Sequence, residues 1–273
     1  MMDEYKVKAA IRLLQSFKGG EIELSFSGGK DSCVILELAK MAQIPYRAIY
    51  KNTTIDPPGT IKFCKDLGVE IVEPKKSFFK IIERKGFPTR RCRFCCDILK
   101  EYKILDNSIL GIRKCESIKR NEMYSEPIMC RIYGNKSQHV NVFLPILKWT
   151  NKDVSDFINE RNIQCHPLYY QNEKFDVSKR LGCMGCPMAS DKGLSDFKKY
   201  PILVKQWIKH GLVWWNKPHT DRFKSKDNFA TIYELFVHNV FFNSYSDFNM
   251  AVHGMFGDID CKKFLEDYFK IDL

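Results

Sequence analysis

The sequence predicts an α/β fold: an open, mostly parallel five-stranded sheet with helices on both faces, followed by a C-terminal helical cap. Three observations predict it. Strand-like and helix-like periods alternate through the first half of the chain. A Ser-Gly-Gly loop stands between the first strand and the helix after it. From about residue 150 the pattern changes to helix and loop alone, which divides the chain into an α/β domain, 1–149, and a helical and loop cap, 150–273.

Residues 21–26 (EIELSF) alternate polar and apolar and read as the first strand; residues 31–43 (DSCVILELAKMAQ) carry apolar positions at helical spacing. Residues 46–50 form a second strand. Residues 60–67 form a second helix, with Pro57 and Pro58 before it and Gly68 after it. A third strand at 69–72 leads to a helix at 78–84. After a cysteine-rich turn and a further helix, 108–112 (SILGI) and 140–147 (VNVFLPIL) supply the fourth and fifth strands. Strands separated by short helices imply parallel pairing with both faces covered. Beyond them Thr150 caps a helix running to about Arg161, with Asp153 in the capping-box position usually held by Glu. Residues 196–210 and 229–242 also read as helices, Pro201 interrupting the first. No tandem repeat, low-complexity tract or flexible linker is visible.

Composition limits the function classes. A chain of 273 residues with 44% hydrophobic and 13% aromatic residues can build a core without disulfide staples and is not a disordered tail. No apolar run approaches the roughly 18 residues of a membrane span. Residues 1–18 are amphipathic and charged without a continuous apolar core, so a secretory signal is not expected and a cytoplasmic location is. The net charge of +11 suits polyanionic partners as well as plain solubility. Eleven cysteines in a reducing compartment point to metal or redox chemistry rather than disulfides.

The sharpest local signal is Ser27-Gly28-Gly29-Lys30-Asp31-Ser32. Two glycines let the backbone turn tightly and approach a ligand. The amides opening the following helix then face an anion with the helix dipole behind them. Ser27 and Ser32 add hydroxyls, Lys30 adds a charge, and Asp31 is placed to cap the helix or to help hold Mg²⁺. The spacing is not that of a Walker loop, which needs four residues between its first glycine and the Gly-Lys pair.

Two cysteine groups stand far apart in the chain: Cys92-x-x-Cys95-Cys96 and Cys183-x-x-Cys186-Pro187. Converging thiolates from Cys95, Cys96, Cys183 and Cys186 suit a [4Fe–4S] cluster, with zinc as the alternative. Cys92 is a fifth candidate, as spare thiol or alternative ligand. Cys33, Cys64, Cys115, Cys130, Cys165 and Cys261 read as small core residues.

These motifs resemble the phosphoadenosine phosphosulfate reductase family of the PP-loop ATP pyrophosphatase superfamily, whose fold is the adenine nucleotide alpha hydrolase-like one. The resemblance runs from about Glu23 to about Pro187. SGGKDS is similar to the family's SGGxDS. The segment 52–58 (NTTIDPP) stands where the family places DTG-F-P-E-T, and Cys95-Cys96 with Lys100 resembles CCxxxK. The run 111–120 resembles GIRxxES, 145–154 resembles P-x-x-x-W-T-x-x-D-V, and His166-Pro167-Leu168-Tyr169 resembles NPLY. The resemblance implies that Ser27, Gly28, Gly29, Lys30, Asp31 and Ser32 hold phosphates, and that Asn52, Thr53 and Thr54 contact the adenosine. It also implies that Lys100, Arg113 and Arg120 meet phosphate or sulfate oxygens, and that the four cysteines above ligate iron in the iron–sulfur-binding branch. Lys30, Asp31 and Arg113 are the catalytic candidates.

One departure matters. The assimilatory reductases of this family carry a nucleophilic cysteine in a C-terminal ECGxH motif; here the nearest match is Cys261-Lys262-Lys263-Phe264. Reductive sulfite release would therefore lack its nucleophile. The first expectation is accordingly an ATP pyrophosphatase that adenylylates an acceptor for sulfur transfer, in the manner of DNA phosphorothioation or tRNA thiolation. ATP, Mg²⁺ and a [4Fe–4S] cluster would be its cofactors and a cysteine desulfurase its sulfur donor. Adenylyl-sulfate or PAPS reduction and a non-catalytic nucleotide- or cluster-binding subunit are the alternatives. Trp207, Trp214 and Trp215 fit a packed helical core better than a nucleic-acid surface.

Overall fold

The computed structural model describes residues 3–133, 138–218, 228–254 and 257–273. In chain order its first elements are α1 (Glu4–Gln15), β1 (Ile22–Phe26), α2 (Lys30–Ala42), β2 (Tyr46–Lys51), α3 (Thr60–Asp66), β3 (Glu70–Val72), α4 (Phe78–Lys85) and α5 (Phe94–Leu99). Then come β4 (Asn107–Ile109), α6 (Ile118–Met123), β5 (Ile128–Tyr133), β6 (Gln138–Phe143) and α7 (Asn151–Glu160). The chain closes with α8 (Leu194–Lys199), α9 (Pro201–Trp215), α10 (Ile232–Phe241), α11 (Tyr245–Val252) and α12 (Cys261–Phe269). They form two compact units, each discontinuous in sequence: Met1–Pro74 with Asp97–Gly182, and Lys75–Cys96 with Cys183–Leu273. The boundary expected at 149–150 falls inside the first unit. α7 belongs with the sheet because Val154, Phe157 and Ile158 are buried in the same core as α1 and α2.

The first unit holds a six-stranded sheet in the order β3-β2-β1-β4-β6-β5. All neighbouring pairs are parallel except β5 with β6. β1 is central, with Leu24 opposite Ala48 on β2 and Ile109 on β4. The chain leaves β1 toward β2 and β3, then crosses back to β4, so the order reverses between β1 and β4. Loops at such a reversal leave a crevice at the carboxyl ends of the strands. β5 makes a sheet of six strands where five were expected, and a two-stranded antiparallel sheet, Tyr170–Gln171 with Lys174–Phe175, stands where helix and loop alone were expected. The inward positions of β5 are Met129, Arg131 and Tyr133, while Ile128, Cys130 and Ile132 are exposed, so its polarity does not alternate as a half-buried strand's would. Arg131 is held on that inner face by the Tyr133 ring, 4.7 Å away, and by Glu101 at 3.3 Å.

Local signals account for most other ends. Asp3 caps α1 through Tyr5 N–H at 2.9 Å, and the Thr150–Asp153 capping box opens α7 as expected. The helix expected at 196–210 divides at Tyr200, and Pro201 opens α9 at the position where its missing N–H costs nothing. Inside the second unit Trp207 packs among Phe197, Phe78 and Phe87 at ring separations of 5.3–5.6 Å. Trp207 and Trp214 are buried, as the core reading of the tryptophans expected. No helix among the described residues is long and apolar enough to cross a membrane.

A buried ion pair ties β1 to β2. Lys51 Nζ lies 2.9 Å from Glu23 Oε1 and donates to Tyr102 O at 2.6 Å, with side chains 9% and 3% exposed. Glu23 also accepts from Ser25 Oγ at 2.9 Å. Removing one partner strands the other charge. Glu23→Gln and Lys51→Met are each expected to lower unfolding free energy by about 3–5 kcal/mol. Urea denaturation of the two single variants and of the Glu23→Leu/Lys51→Met double variant, which should lose less than the sum, checks this.

Candidate nucleotide and thiol sites

The Gly-rich loop lies at the crevice between β1 and β4. Gly28 takes φ +76°, and a Cβ there would stand 2.9 Å from Leu181 Cδ2 and 3.3 Å from Thr60 Cγ2. Gly29 is the N-cap of α2, with no side-chain cap. The hydroxyls brace the turn: Gly29 N–H donates to Ser27 Oγ at 3.3 Å, and Ser32 Oγ donates to Gly29 O at 2.7 Å.

A polar cavity of about 150 Å³ opens on this loop, lined by Ser25, Ser27, Gly29, Lys30, Asp31 and Ser32 together with Gly111, Glu116, Arg120, Tyr169, Arg180 and Leu181. Whole-ligand clefts run to about 300–1,000 Å³, so this space matches the phosphate end of a nucleotide rather than all of one.

Charge in the wall is nearly paired. Arg113, 1% exposed, stands behind the cavity and donates from Nε to Asp31 Oδ1 at 2.7 Å and from Nη1 to Asn151 Oδ1 at 3.0 Å and Cys115 Sγ at 3.1 Å. Arg120 is paired with Glu116. Lys30 Nζ sits 3.7 Å from Asp31 Oδ2 and 3.4 Å from Lys179 O. Burial pushes the Lys30 ammonium below the ordinary lysine range; Asp31 opposes that shift, while Arg113 and Arg180 add to it. Arg180 is exposed and has no hydrogen-bond or ion-pair partner among the described residues. Burial drives the Tyr169 phenol up to about 12, so it remains a neutral hydroxyl, accepting from Leu181 N–H at 3.1 Å.

The cavity thus gathers Ser27, Gly29, Lys30, Asp31, Ser32 and Arg120, with Gly28 shaping the turn and Arg113 anchoring Asp31. Asp31 does not cap α2, and Arg113 already holds its carboxylate. Asn52, Thr53, Thr54 and Lys100 are not in its wall. They form a second group around Asp56, which accepts from Thr53 N–H at 3.1 Å and from Tyr50 OH, and lies 3.8 Å from Lys100 Nζ. Asn52 donates to Glu73 at 2.8 Å and accepts from Thr54 N–H at 2.8 Å, which holds Thr54 at φ +61°. The sequence reading missed Asp56, Glu116 and Arg180 as site residues. His166 is buried; its Nδ1 accepts from Leu168 N–H at 3.2 Å, and its Nε2 has no partner among the described residues.

All four expected cluster cysteines belong to the second unit. The Cys95 thiol is pushed far above the usual thiol range, first by its hydrogen bond with Cys96, then by burial and by the neighbouring Cys96, Cys183 and Cys186. The two segments meet through Arg90, which donates to Pro187 O at 2.9 Å and to Ala189 O at 2.8 Å. Gly185 (φ +67°) and Gly193 (φ +81°) pack so closely that a Cβ on Gly193 would fall 2.4 Å from Gly185 Cα. Among the described residues no three His, Cys, Asp or Glu side chains converge as an assembled metal site; the four sulfurs are neighbours, not a finished ligand cage. The donor set nevertheless fits a [4Fe–4S] cluster, because four thiols from two fixed segments are what it requires and a cation would relieve the mutual repulsion at Cys95. The same set suits zinc.

The remaining cysteines divide. Cys33, Cys64, Cys165 and Cys261 are buried as expected, whereas Cys115 and Cys130 are exposed and are not core residues. Cys92 is also exposed.

A glycine turn opening a helix at the reversal point of a mostly parallel sheet defines an α/β fold of the class that takes anionic ligands at that crevice. The chain belongs to the phosphoadenosine phosphosulfate reductase domain family, whose profile matches residues 21–189. It is 32% identical over 206 residues to an uncharacterized protein of Methanocaldococcus jannaschii, covering 70% of this chain and 47% of that one. It is 28% identical over 195 residues to sulfate adenylyltransferase subunit 2 of Shewanella pealeana, covering 59% and 64%. The chain spans about half the length of the first curated relatives it matches. Among solved structures it is similar to phosphoadenylyl-sulfate reductase of Candida auris (15% identity, 66% and 93% covered, TM-score 0.46). It is also similar to the U34-tRNA thiolase of Methanococcus maripaludis with its [4Fe–4S] cluster (18% identity, 78% and 78% covered, TM-score 0.41).

Two outcomes are expected. Gly28→Ala should weaken ATP binding at least about ten-fold, because φ +76° and the Leu181 contact both resist a Cβ. Gly20→Ala, which meets nothing within 4 Å, should leave it unchanged; isothermal titration compares them. Sulfate keeps its charge across the alkaline range, so its binding reports Lys30. Affinity should fall as pH rises through the depressed Lys30 pKa, below the ordinary value of 10.5. Lys30→Arg should move that loss to higher pH.

Proposed function

We propose that this chain uses ATP to adenylylate an acceptor for sulfur transfer, and that the acceptor is a nucleic acid, as in DNA phosphorothioation or tRNA thiolation. The observation that carries the reading is the small cation-walled cavity on the Ser27–Ser32 turn, sized for phosphates, in a chain whose Cys261 is buried. Burial pushes the Cys261 thiol up to about 12, and the residue is 4% exposed. That disfavours the second reading, adenylyl-sulfate or PAPS reduction, which family membership alone would support.

Ser27, Gly29 and Ser32 hold the phosphate tail, with Asn52, Thr53 and Thr54 toward the adenosine. An acceptor oxygen attacks the α-phosphorus; the bond to the bridging β-oxygen breaks and pyrophosphate leaves. Lys30, Arg120 and Arg180 stabilise the charge that collects on the leaving group, as a bound Mg²⁺ would. Arg113 acts through Asp31, holding the loop helix in register. A persulfide from a cysteine desulfurase then displaces AMP. A second thiol cuts the resulting S–S bond and is itself oxidised to a disulfide. Cys95, Cys96, Cys183 and Cys186 would hold a [4Fe–4S] cluster, which would supply a binding point for sulfur. Cys92, exposed three residues before Cys95, would carry a transferred sulfur atom.

Anaerobically purified protein, given ATP, cysteine, a desulfurase and nucleic acid, is expected to release pyrophosphate and AMP in step with acceptor. Lys30→Ala should lower the rate about 10²–10³-fold, and Cys261→Ser should leave it unchanged. Sulfite release from adenylyl sulfate with a thiol reductant, lost in Cys261→Ser, would instead establish the reductase.

A further inference from the structure

The chain's positive charge is concentrated. Residues 75–96 carry eight Lys and Arg against Glu83 alone, a net +7, where the whole chain carries +11. The other part of the same unit, 183–273, carries twelve against eleven. Lys75, Lys76, Lys80, Arg84, Lys85, Arg90, Arg91 and Arg93 are all exposed. Lys80 is paired with Glu83, Lys85 lies over the Phe94 ring, and Arg90 is spent on the carbonyls of the Cys186 loop. Lys75, Lys76, Arg84, Arg91 and Arg93 have no hydrogen-bonded or ion-paired side-chain partner among the described residues. A surface that serves solubility alone intersperses the two signs; this one does not.

We propose that residues 75–93 are the surface on which a double-stranded nucleic acid docks by its phosphate backbone. Charge density selects a polyanion, and the aromatic residues choose its form. Surfaces for single strands present rings on which bases stack. Here Phe78, Phe87 and Phe94 are buried, and the Phe79 ring is stacked on His210 at 4.9 Å. What remains outward is cationic side chains, the chemistry of backbone contact. The surface ends at Cys95 and Cys96, and Arg90 fixes it to the loop of Cys183 and Cys186, so bound nucleic acid lies beside the four thiols.

The inference deepens the reading of a nucleic-acid acceptor, and its test omits ATP so that either can fail without the other. Binding of labelled 20-base-pair DNA and RNA duplexes is followed by fluorescence anisotropy across a salt series. The quadruple variant Lys75→Gln, Lys76→Gln, Arg91→Gln, Arg93→Gln is compared with Lys18→Gln, Lys62→Gln, Lys65→Gln, Lys174→Gln, four exposed lysines of the first unit. The first set should lower duplex affinity at least about ten-fold and reduce the salt slope by about 3–4; the second should change neither. Far-UV circular dichroism and the thermal midpoint should be unchanged in both, which certifies the fold. Preference for the DNA or the RNA duplex identifies the source, and either supports the proposal. Equal losses in the two variants, tighter binding of the matching single strand, or equal competition by polyglutamate would overturn it.

Discussion

The contact between Arg113 and Asp31 is the constraint on which the first unit's site depends. Asp31 is the second residue of α2 and Arg113 follows the end of β4, so the pair joins the two sides of the crevice where strand order reverses. Arg113 is buried, and its charge is acceptable there only because Asp31, Asn151 and Cys115 occupy its donors. Gly111 completes the joint: a side chain there would press on the Asp31 backbone at 3.0 Å. An arginine in this position is less a ligand contact than a fastener. It fixes the direction of the α2 N-terminus, and with it the backbone amides that face an anion. It also removes Asp31 from the cavity's free charge, leaving Lys30 and Arg180 as the cations whose pairing is weakest.

How much of this was legible follows from the range of the interactions involved. The turn 27–32 and its flanking strand and helix are local, so the residues announce them. The Thr150 capping box is equally local and was read correctly down to the unusual Asp153. β5 was not legible because its inner face carries Arg131, whose burial makes sense only beside Tyr133 and Glu101. Asp56 and Glu116 were passed over for the same reason. Each is an ordinary acid in the sequence and becomes a hub only when Tyr50, Thr53 and Lys100, or Arg113 and Arg120, close around it. The change of pattern expected at 149–150 does not coincide with a division between units. It could not show that α7 packs with α1 and α2, or that 75–96 joins residues more than a hundred positions away.

The thiol group illustrates the opposite balance. Spacing brought out two cysteine groups, the resemblance matched Cys95, Cys96, Cys183 and Cys186 to ligands, and all four belong to one unit. What spacing could not supply is their protonation. Beside Cys96, Cys183 and Cys186 and partly buried, the Cys95 thiol resists ionisation. A metal or cluster reverses that sign by stabilising thiolates. The scaffold is nonetheless prepared: Arg90 spans the two segments, and the glycines at 185 and 193 permit a turn no side chain would allow. Fixed backbone with adjustable side chains is the arrangement expected of ligands that complete their geometry on binding.

The departure from the reductase pattern then gains physical meaning. A thiol nucleophile must ionise near neutral pH and reach its substrate. Cys261 opens α12 inside the hydrophobic core, and burial together with Glu234 and Asp260 holds its proton in place. Cys261 therefore belongs to a packing helix. Cys92, by contrast, is exposed, and Arg91 and Arg93 flank it in sequence. Under the proposed sulfur-transfer reading, an exposed thiol in that setting is one that a large anionic acceptor can approach.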